Sequence, residues 1–243
     1  MGAKKAKRQM NISNNNNANV VKINTFLPKK TRNVEILPRN RSQENYILQL
    51  TDPRKDIVFG IGPAGTGKTM LACQVGVKLF LEGSIDRIVV TRPAVSADEE
   101  LGFLPGTLEQ KMAPWTRPIF DVFREYFYAN EIEGMIAEGV IEISPLAYMR
   151  GRTFKDAFII ADEMQNATPN QMKMLLTRIG NNSKMVVTGD LNQADRLKDN
   201  GLIDFISHLR DFEASRIETV HFGQRDIERH PVVKEVLRVY GDE

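Results

Sequence analysis

Asp56-Ile57-Val58-Phe59-Gly60-Ile61-Gly62-Pro63-Ala64-Gly65-Thr66-Gly67-Lys68-Thr69 decides the fold. The apolar run Ile57 to Ile61 reads as a buried strand, and the Gly62-x-x-x-x-Gly67-Lys68-Thr69 that follows has phosphate-loop spacing. Gly62, Gly65 and Gly67 let the backbone bend tightly, so that the amides of Pro63-Ala64-Gly65-Thr66-Gly67-Lys68-Thr69-Met70, proline excepted, can turn toward phosphate oxygens. Lys68 can reach β- and γ-phosphates, and the Thr69 hydroxyl can ligand Mg²⁺. A helix is expected from Lys68 to about Leu81, with its N-terminal dipole at the same anion site. Cys73 falls in this helix as the chain's single cysteine and reads as a small buried filler.

Working outward, the next decisive stretch is Ala157-Phe158-Ile159-Ile160-Ala161-Asp162-Glu163. An apolar strand delivers Asp162 to its carboxyl end, where it can hold Mg²⁺, and Glu163 beside it can deprotonate an attacking water. Lys184 to Thr188 is a further strand, leaving through Gly189-Asp190-x-x-Gln193, and Gln193 is placed to sense a γ-phosphate. Asp86 to Thr91 is another strand, and it ends at Arg92, where ligands of open α/β sheets gather. Arg92 therefore suits a phosphate of a nucleotide or a polynucleotide, or is an ordinary loop arginine. Val140 to Ile143 is a short strand running into Tyr148-Met149-Arg150-Gly151-Arg152, a cationic loop suited to phosphodiester contact or to solubility alone.

The remaining elements are less specific. Ser42 is the expected N-cap of a helix ending near Leu50; Gln43 within it is either an exposed helical residue or a carboxamide that reads an adenine edge. Residues 94–139 are expected to be an irregular insertion with helices at Pro114 to Ala129 and Ile132 to Glu138. Phe120, Phe123, Tyr126 and Phe127 have helical spacing and favour core packing over base stacking. A helix capped by Thr168 is expected from Pro169 to about Arg178-Ile179-Gly180, then a strand from Arg216 to His221 and a helix from Pro231 to Val239. His208, His221 and His230 lack metal-site spacing.

Composition bounds the rest. The 243 residues are 42% hydrophobic and 26% charged, ordinary for a globular protein, and no apolar run is long enough for a membrane span. Residues 1–40 carry nine Lys or Arg against Glu35 alone, a charge of +8, whereas the remainder carries −6. Residues 1–35 are therefore expected to be a basic arm, disordered through its Asn-rich run, and 36–243 the folded domain. With no secretory signal and no cysteine pair, cytoplasmic residence is the expectation.

Taken together, Gly62 to Thr69, Arg92-Pro-Ala-Val95, Leu101-Gly-Phe-Leu-Pro-Gly106, Tyr148 to Thr153, Asp162-Glu-Met-Gln-Asn166, Gln171-Met-Lys-Met174 and Thr188-Gly-Asp190 resemble the PhoH family over about residues 36–240. Met164 stands where that family usually has Ala. The resemblance implies a P-loop ATPase with a core similar to superfamily 1 helicases: a three-layer, RecA-like α/β domain with a mostly parallel sheet, using ATP and Mg²⁺, with RNA or single-stranded nucleic acid as partner. It also strengthens the adenine-reading role for Gln43. Helicases of that kind take a transition-state arginine from a second lobe, and only one phosphate loop is present here. The arginine is therefore expected from a neighbouring subunit in a hexameric ring, with Arg178 and Arg229 as candidates. Two other function classes stay open: a nucleotide-switched protein-interaction ATPase, and a small-molecule kinase, which the water-activating Glu163 disfavours.

Overall fold

Residues 33–93, 108–193, 199–228 and 231–240 are described by a computed structural model, with 108–114, 193, 234 and 237 described by backbone alone. Residues 1–32 of the expected arm, the Leu101–Gly106 loop, Arg229 and His230 lie outside the described residues; Val34, expected in the arm, is buried in the core.

The elements in chain order are α1 (Arg41–Thr51), β1 (Ile57–Ile61), α2 (Lys68–Leu81), β2 (Arg87–Thr91), α3 (Leu108–Tyr126), α4 (Ala129–Ala137), β3 (Ile141–Ile143), β4 (Ala157–Ala161), α5 (Pro169–Leu176), β5 (Lys184–Gly189), α6 (Gly201–Arg210), β6 (Ile217–His221) and α7 (Pro231–Tyr240). The six strands form one sheet in the order β3-β2-β4-β5-β1-β6. Every pairing is parallel, so the sheet is wholly rather than mostly parallel among the described residues.

Two-sided burial explains the strand sequences. All five residues of β1 and of β4 are buried, which is why both read as unbroken apolar runs. Alternate residues feed opposite layers. Phe158 and Ile160 join Val58, Val90 and Val186 under α1, α2, α3 and α4. Ile159 and Ala161 join Phe59, Val89 and Val187 under α5 and α6. Cys73 lies wholly within the first layer, and burial pushes its thiol pKa up. Phe123, Tyr126 and Phe127 are buried in that same layer, with Phe120 packed against it, as their spacing predicts.

Four local expectations need correction. The N-cap of α1 is Asn40, not Ser42: the Asn40 side chain accepts from the Gln43 N–H at 2.9 Å. Gln43 is not an exposed helical residue, being only 1% accessible. α3 begins at Leu108, upstream of the expected Pro114, and α4 at Ala129, three residues ahead of Ile132. Pro114 and Pro118 lie inside α3, where proline ordinarily marks an end. α6 was not anticipated at all; Asn200 caps it by accepting from the Leu202 and Ile203 amides, each at 3.0 Å. No helix among the described residues is long and apolar enough to cross a membrane.

Asn40 therefore fixes the start of α1 and, through it, the placement of Gln43. Asn40→Ala is expected to lower folding stability by about 1 kcal/mol, seen as a lower urea midpoint with an unchanged slope. An unchanged midpoint would show that the cap carries no weight.

Candidate nucleotide site

The parallel sheet delivers the ends of β1, β4 and β5 to one edge, and α2 starts there. Between them lies an open pocket of about 260 Å³ lined by Lys68, Thr69, Asp162, Glu163, Thr188 and Asp190, together with the backbone of the glycine-rich loop.

The loop is held from several sides. Gly62 has φ +147°, and a Cβ there would come within 2.3 Å of the Phe222 carbonyl oxygen, so neither the conformation nor the space admits a side chain. The Gly62 N–H donates to the Gly189 carbonyl at 3.0 Å, tying the loop to the end of β5. Inside the loop, the Thr66 hydroxyl donates to the Pro63 carbonyl at 2.9 Å. Lys68 Nζ donates to the Gly62 and Pro63 carbonyls, each at 2.7 Å. Ala64 and Gly65 stand exposed at the mouth, as does Met70, at 37%. Gly67, in the left-handed region at φ +83°, is the residue from which α2 starts.

Gln43 acts on the same loop. Its Nε2 donates to the Thr66 carbonyl at 3.1 Å, and its Oε1 accepts from the Arg39 N–H at 2.9 Å. On the other side, the Glu228 N–H donates to the Gly65 carbonyl at 2.9 Å. The loop is thus clasped between α1 and the segment leading to α7.

One carboxylate oxygen joins three elements. Asp162 Oδ1 accepts from the Thr69 hydroxyl of α2 at 2.7 Å and from the Thr188 hydroxyl of β5 at 2.5 Å. Glu163 follows in the left-handed region at φ +55°, which turns it out of the strand line. Gln165, 2% accessible, then holds that turn. Its Nε2 donates to Glu163 Oε2 at 2.5 Å, its Oε1 accepts from the Asp190 N–H at 3.1 Å, and its carbonyl accepts from Asn200 Nδ2 at 2.8 Å.

The charges suit a cation and a polyanion together. Three carboxylates, Asp162, Glu163 and Asp190, face a single lining ammonium, Lys68. Burial lowers the Lys68 pKa, and Asp190, Glu163 and Asp162 work against that shift. A pocket with net negative charge accepts phosphates only alongside a divalent cation. Thr69 and Asp162 supply the oxygen-only donors that a hard ion such as Mg²⁺ takes.

The other sequence candidates are more dispersed. Gln193 ends a 3₁₀ turn, Leu191–Gln193, just beyond β5; its side chain is outside the described residues. Arg92 sits half-buried beyond β2. Arg152 is committed within the fold: it forms a two-pronged ion pair with Glu142 and lies 4.6 Å from the centroid of the Phe154 ring. Arg178 lies at the far end of α5, where Nε donates to the Met174 carbonyl at 3.1 Å and Nη1 to the Arg152 carbonyl at 3.2 Å. Arg150 is exposed near it. Sequence reasoning gave no role to Gln165, Thr188, Asp190 or Asn200. A buried glutamine two residues beyond an acid pair was the available signal, but burial on a turn has no periodicity to read.

Gln165→Ala leaves the Asp190 N–H buried without its acceptor and is expected to cost about 1–3 kcal/mol in urea unfolding. A loss under a few tenths of a kcal/mol would show that water replaces the amide freely.

Comparison with known proteins places this chain in a family. The PhoH family, described as PhoH-like protein, matches residues 35–241. A PhoH-like protein of Bacillus subtilis is 44% identical over 216 residues, 88% of this chain and 66% of the relative. A PhoH-like protein of Synechocystis is 44% identical over 89% of this chain and 65% of its own length. Protein PhoH of Escherichia coli is 40% identical over 84% of this chain and 58% of its own length. The chain thus spans about three-fifths to two-thirds of the relatives it matches. Among solved structures, the Pif1 helicase of Candida albicans superposes with a TM-score of 0.38 at 16% identity, over 78% of this chain and 41% of that one, a likeness too distant to bear on function. With its family match running through nearly all of the described sheet and helices, the chain belongs to the PhoH-like protein family.

Proposed function

We propose that this protein is a Mg²⁺-dependent ATPase that couples hydrolysis to binding or remodelling RNA or single-stranded DNA, acting as an oligomeric ring. Family membership supports an ATPase of the P-loop kind. The observation that carries the Mg²⁺-dependent hydrolysis in this reading is the shared Asp162 oxygen, which brings Thr69 and the acid pair to one point beside Lys68.

In this reading the loop amides from Pro63 to Met70, proline excepted, cradle the phosphates, and Lys68 neutralises the β- and γ-oxygens. Thr69 and Asp162 hold Mg²⁺, which would neutralise charge developing on the phosphates. Glu163 takes the proton of the attacking water, and Gln165 orients it. Gln193 senses the γ-phosphate. Gln43 is the adenine-reading candidate; its carboxamide is bonded to the Thr66 carbonyl and the Arg39 N–H, so a base would have to displace or share those bonds. Arg92 and Arg150 are the cations offered to a polynucleotide.

Lys68 is the single cation lining the pocket among the described residues, so a transition-state arginine must reach it from elsewhere. Arg178 and Arg229 are the candidates for that role, in trans within a hexamer. The exposed apolar side of α7, with Val233, Val236, Val239 and Tyr240 each 37% or more accessible, supports contact with another protein surface. That same side favours the second reading, a nucleotide-switched ATPase whose partner is a protein. The single buried cysteine is consistent with a cytoplasmic protein.

Glu163→Gln is expected to cut ATP turnover at least about 100-fold while Mg–ATP affinity stays within about threefold; retained turnover would remove Glu163 as the base. Wild-type turnover is expected to rise on adding RNA or single-stranded DNA, with the rise shrinking between about 50 and 200 mM salt. Turnover indifferent to both polymers would leave the protein-switch reading in its place.

A further inference from the structure

Outside the nucleotide pocket, an open groove of about 850 Å³ runs along α5 and is lined on its other side by Ala147, Arg150 and Gly151. Most of the α5 side is one stripe, with Gln171 beside it. Asn170, Lys173, Met174 and Thr177 stand at i, i+3, i+4 and i+7, one face of the helix. Met172, Leu175 and Leu176 on the opposite face are buried in the core. Packing thus fixes which side of α5 meets the groove, and that side sets Asn170, Lys173 and Thr177 around the partly buried Met174.

Three cations converge there: Arg150, Lys173 and Arg178. No carboxylate lines the groove, and none of the three has a carboxylate partner among the described residues. Lys173 and Arg150 are exposed, whereas Arg178 is half-buried and held in place. Its Nε, Nη1 and Nη2 donate to the Met174 carbonyl, the Arg152 carbonyl and the Thr177 hydroxyl at 3.1, 3.2 and 3.0 Å. Neutral acceptors orient the guanidinium without cancelling its charge. Arg152, by contrast, has its charge matched by Glu142. The folded part of the chain is acidic overall, so a carboxylate-free trio of cations stands out against its background. Tyr148 is outside the groove lining but follows groove-lining Ala147 in the chain and is 61% accessible, as a residue that stacks on a base must be.

We infer that the groove between α5 and residues 147–151 binds the sugar–phosphate backbone of a single-stranded nucleic acid. Lys173, Arg150 and Arg178 contact successive phosphates, and Tyr148 stacks on an unpaired base. This rests on the proposed function and gives its polymer a place. The groove also has a physical route to the nucleotide site. α5 starts three residues beyond Asn166, in the turn that carries Glu163 and Gln165, and its capping residue Thr168 is bonded to Gln171, which itself lines the groove. Displacement of α5 by a bound strand therefore acts on the turn that sets Glu163.

The test is fluorescence anisotropy of labelled oligo(rU) and oligo(dT) on the full chain, at several salt concentrations. Arg150→Ala and Lys173→Ala are each expected to weaken binding about fivefold at 0.1 M salt and to reduce the log–log salt slope by about 0.7, one single-strand phosphate contact apiece. Arg117→Ala, an exposed cation on α3, is expected to bind as wild type. Tyr148→Ala is expected to weaken binding with an unchanged slope. The two oligonucleotides together distinguish an RNA site from a DNA site. Groove variants that bind as wild type, or an Arg117→Ala loss equal to theirs, would overturn the groove while leaving nucleic-acid binding intact. Groove variants that alter subunit assembly in sedimentation but not oligonucleotide affinity would assign the groove to contact between copies. A wild-type protein that hydrolyses ATP but binds neither oligonucleotide would remove the polymer from the proposed function as well.

Discussion

The site depends on one oxygen. Asp162 Oδ1 accepts two hydroxyl protons, from Thr69 on α2 and Thr188 on β5, and so ties three elements that the chain visits far apart. A buried carboxylate is costly unless hydrogen bonds replace its water, and these two hydroxyls do so. They also fix where α2 begins relative to the sheet, and hence where the loop amides lie. In the proposed chemistry the same arrangement serves a metal: bound Mg²⁺ would draw on the oxygens that already meet there.

Around that point the protein is built as a clamp on a loop. Residues 62–67 have little side-chain mass to hold them, so their neighbours do it. Gln43 grips Thr66, Glu228 grips Gly65, and the Phe222 backbone closes on Gly62. Asn40 links two of these sides, since it caps α1 and its Nδ2 donates to the Asp226 carbonyl at 3.4 Å. A ligand that shifts the loop amides must therefore shift α1 or the segment before α7. Both carry outward surface, and α7 carries it as exposed valines.

What was legible in the sequence was what has a period or a fixed spacing. β1 and β4 are buried on both faces, so each announced itself as an apolar run, and the glycine spacing after β1 placed the pocket. Thr168 and Pro169 placed the start of α5, because a cap and a first-turn proline are local signals. Contacts between distant segments were not legible. The role of Gln165 depends on Asp190 and Asn200 arriving beside it from another strand and another helix. Arg150 and Arg152 looked equivalent on either side of Gly151, yet Glu142 lies within reach of Arg152, and Arg150 is left facing the groove. α6 was hidden because its asparagine cap sits in a polar stretch that reads as loop.

The claim underlying this account is that a triphosphate and its metal are held where α2 meets the ends of β4 and β5. A crystal structure with Mg²⁺ and a non-hydrolysable ATP analogue tests it most directly. The account predicts phosphates along the amides of residues 63–70, Lys68 Nζ between the β- and γ-groups, and metal density beside the Thr69 hydroxyl and the Asp162 carboxylate. Phosphates bound elsewhere, or a metal held without either of those residues, would contradict it.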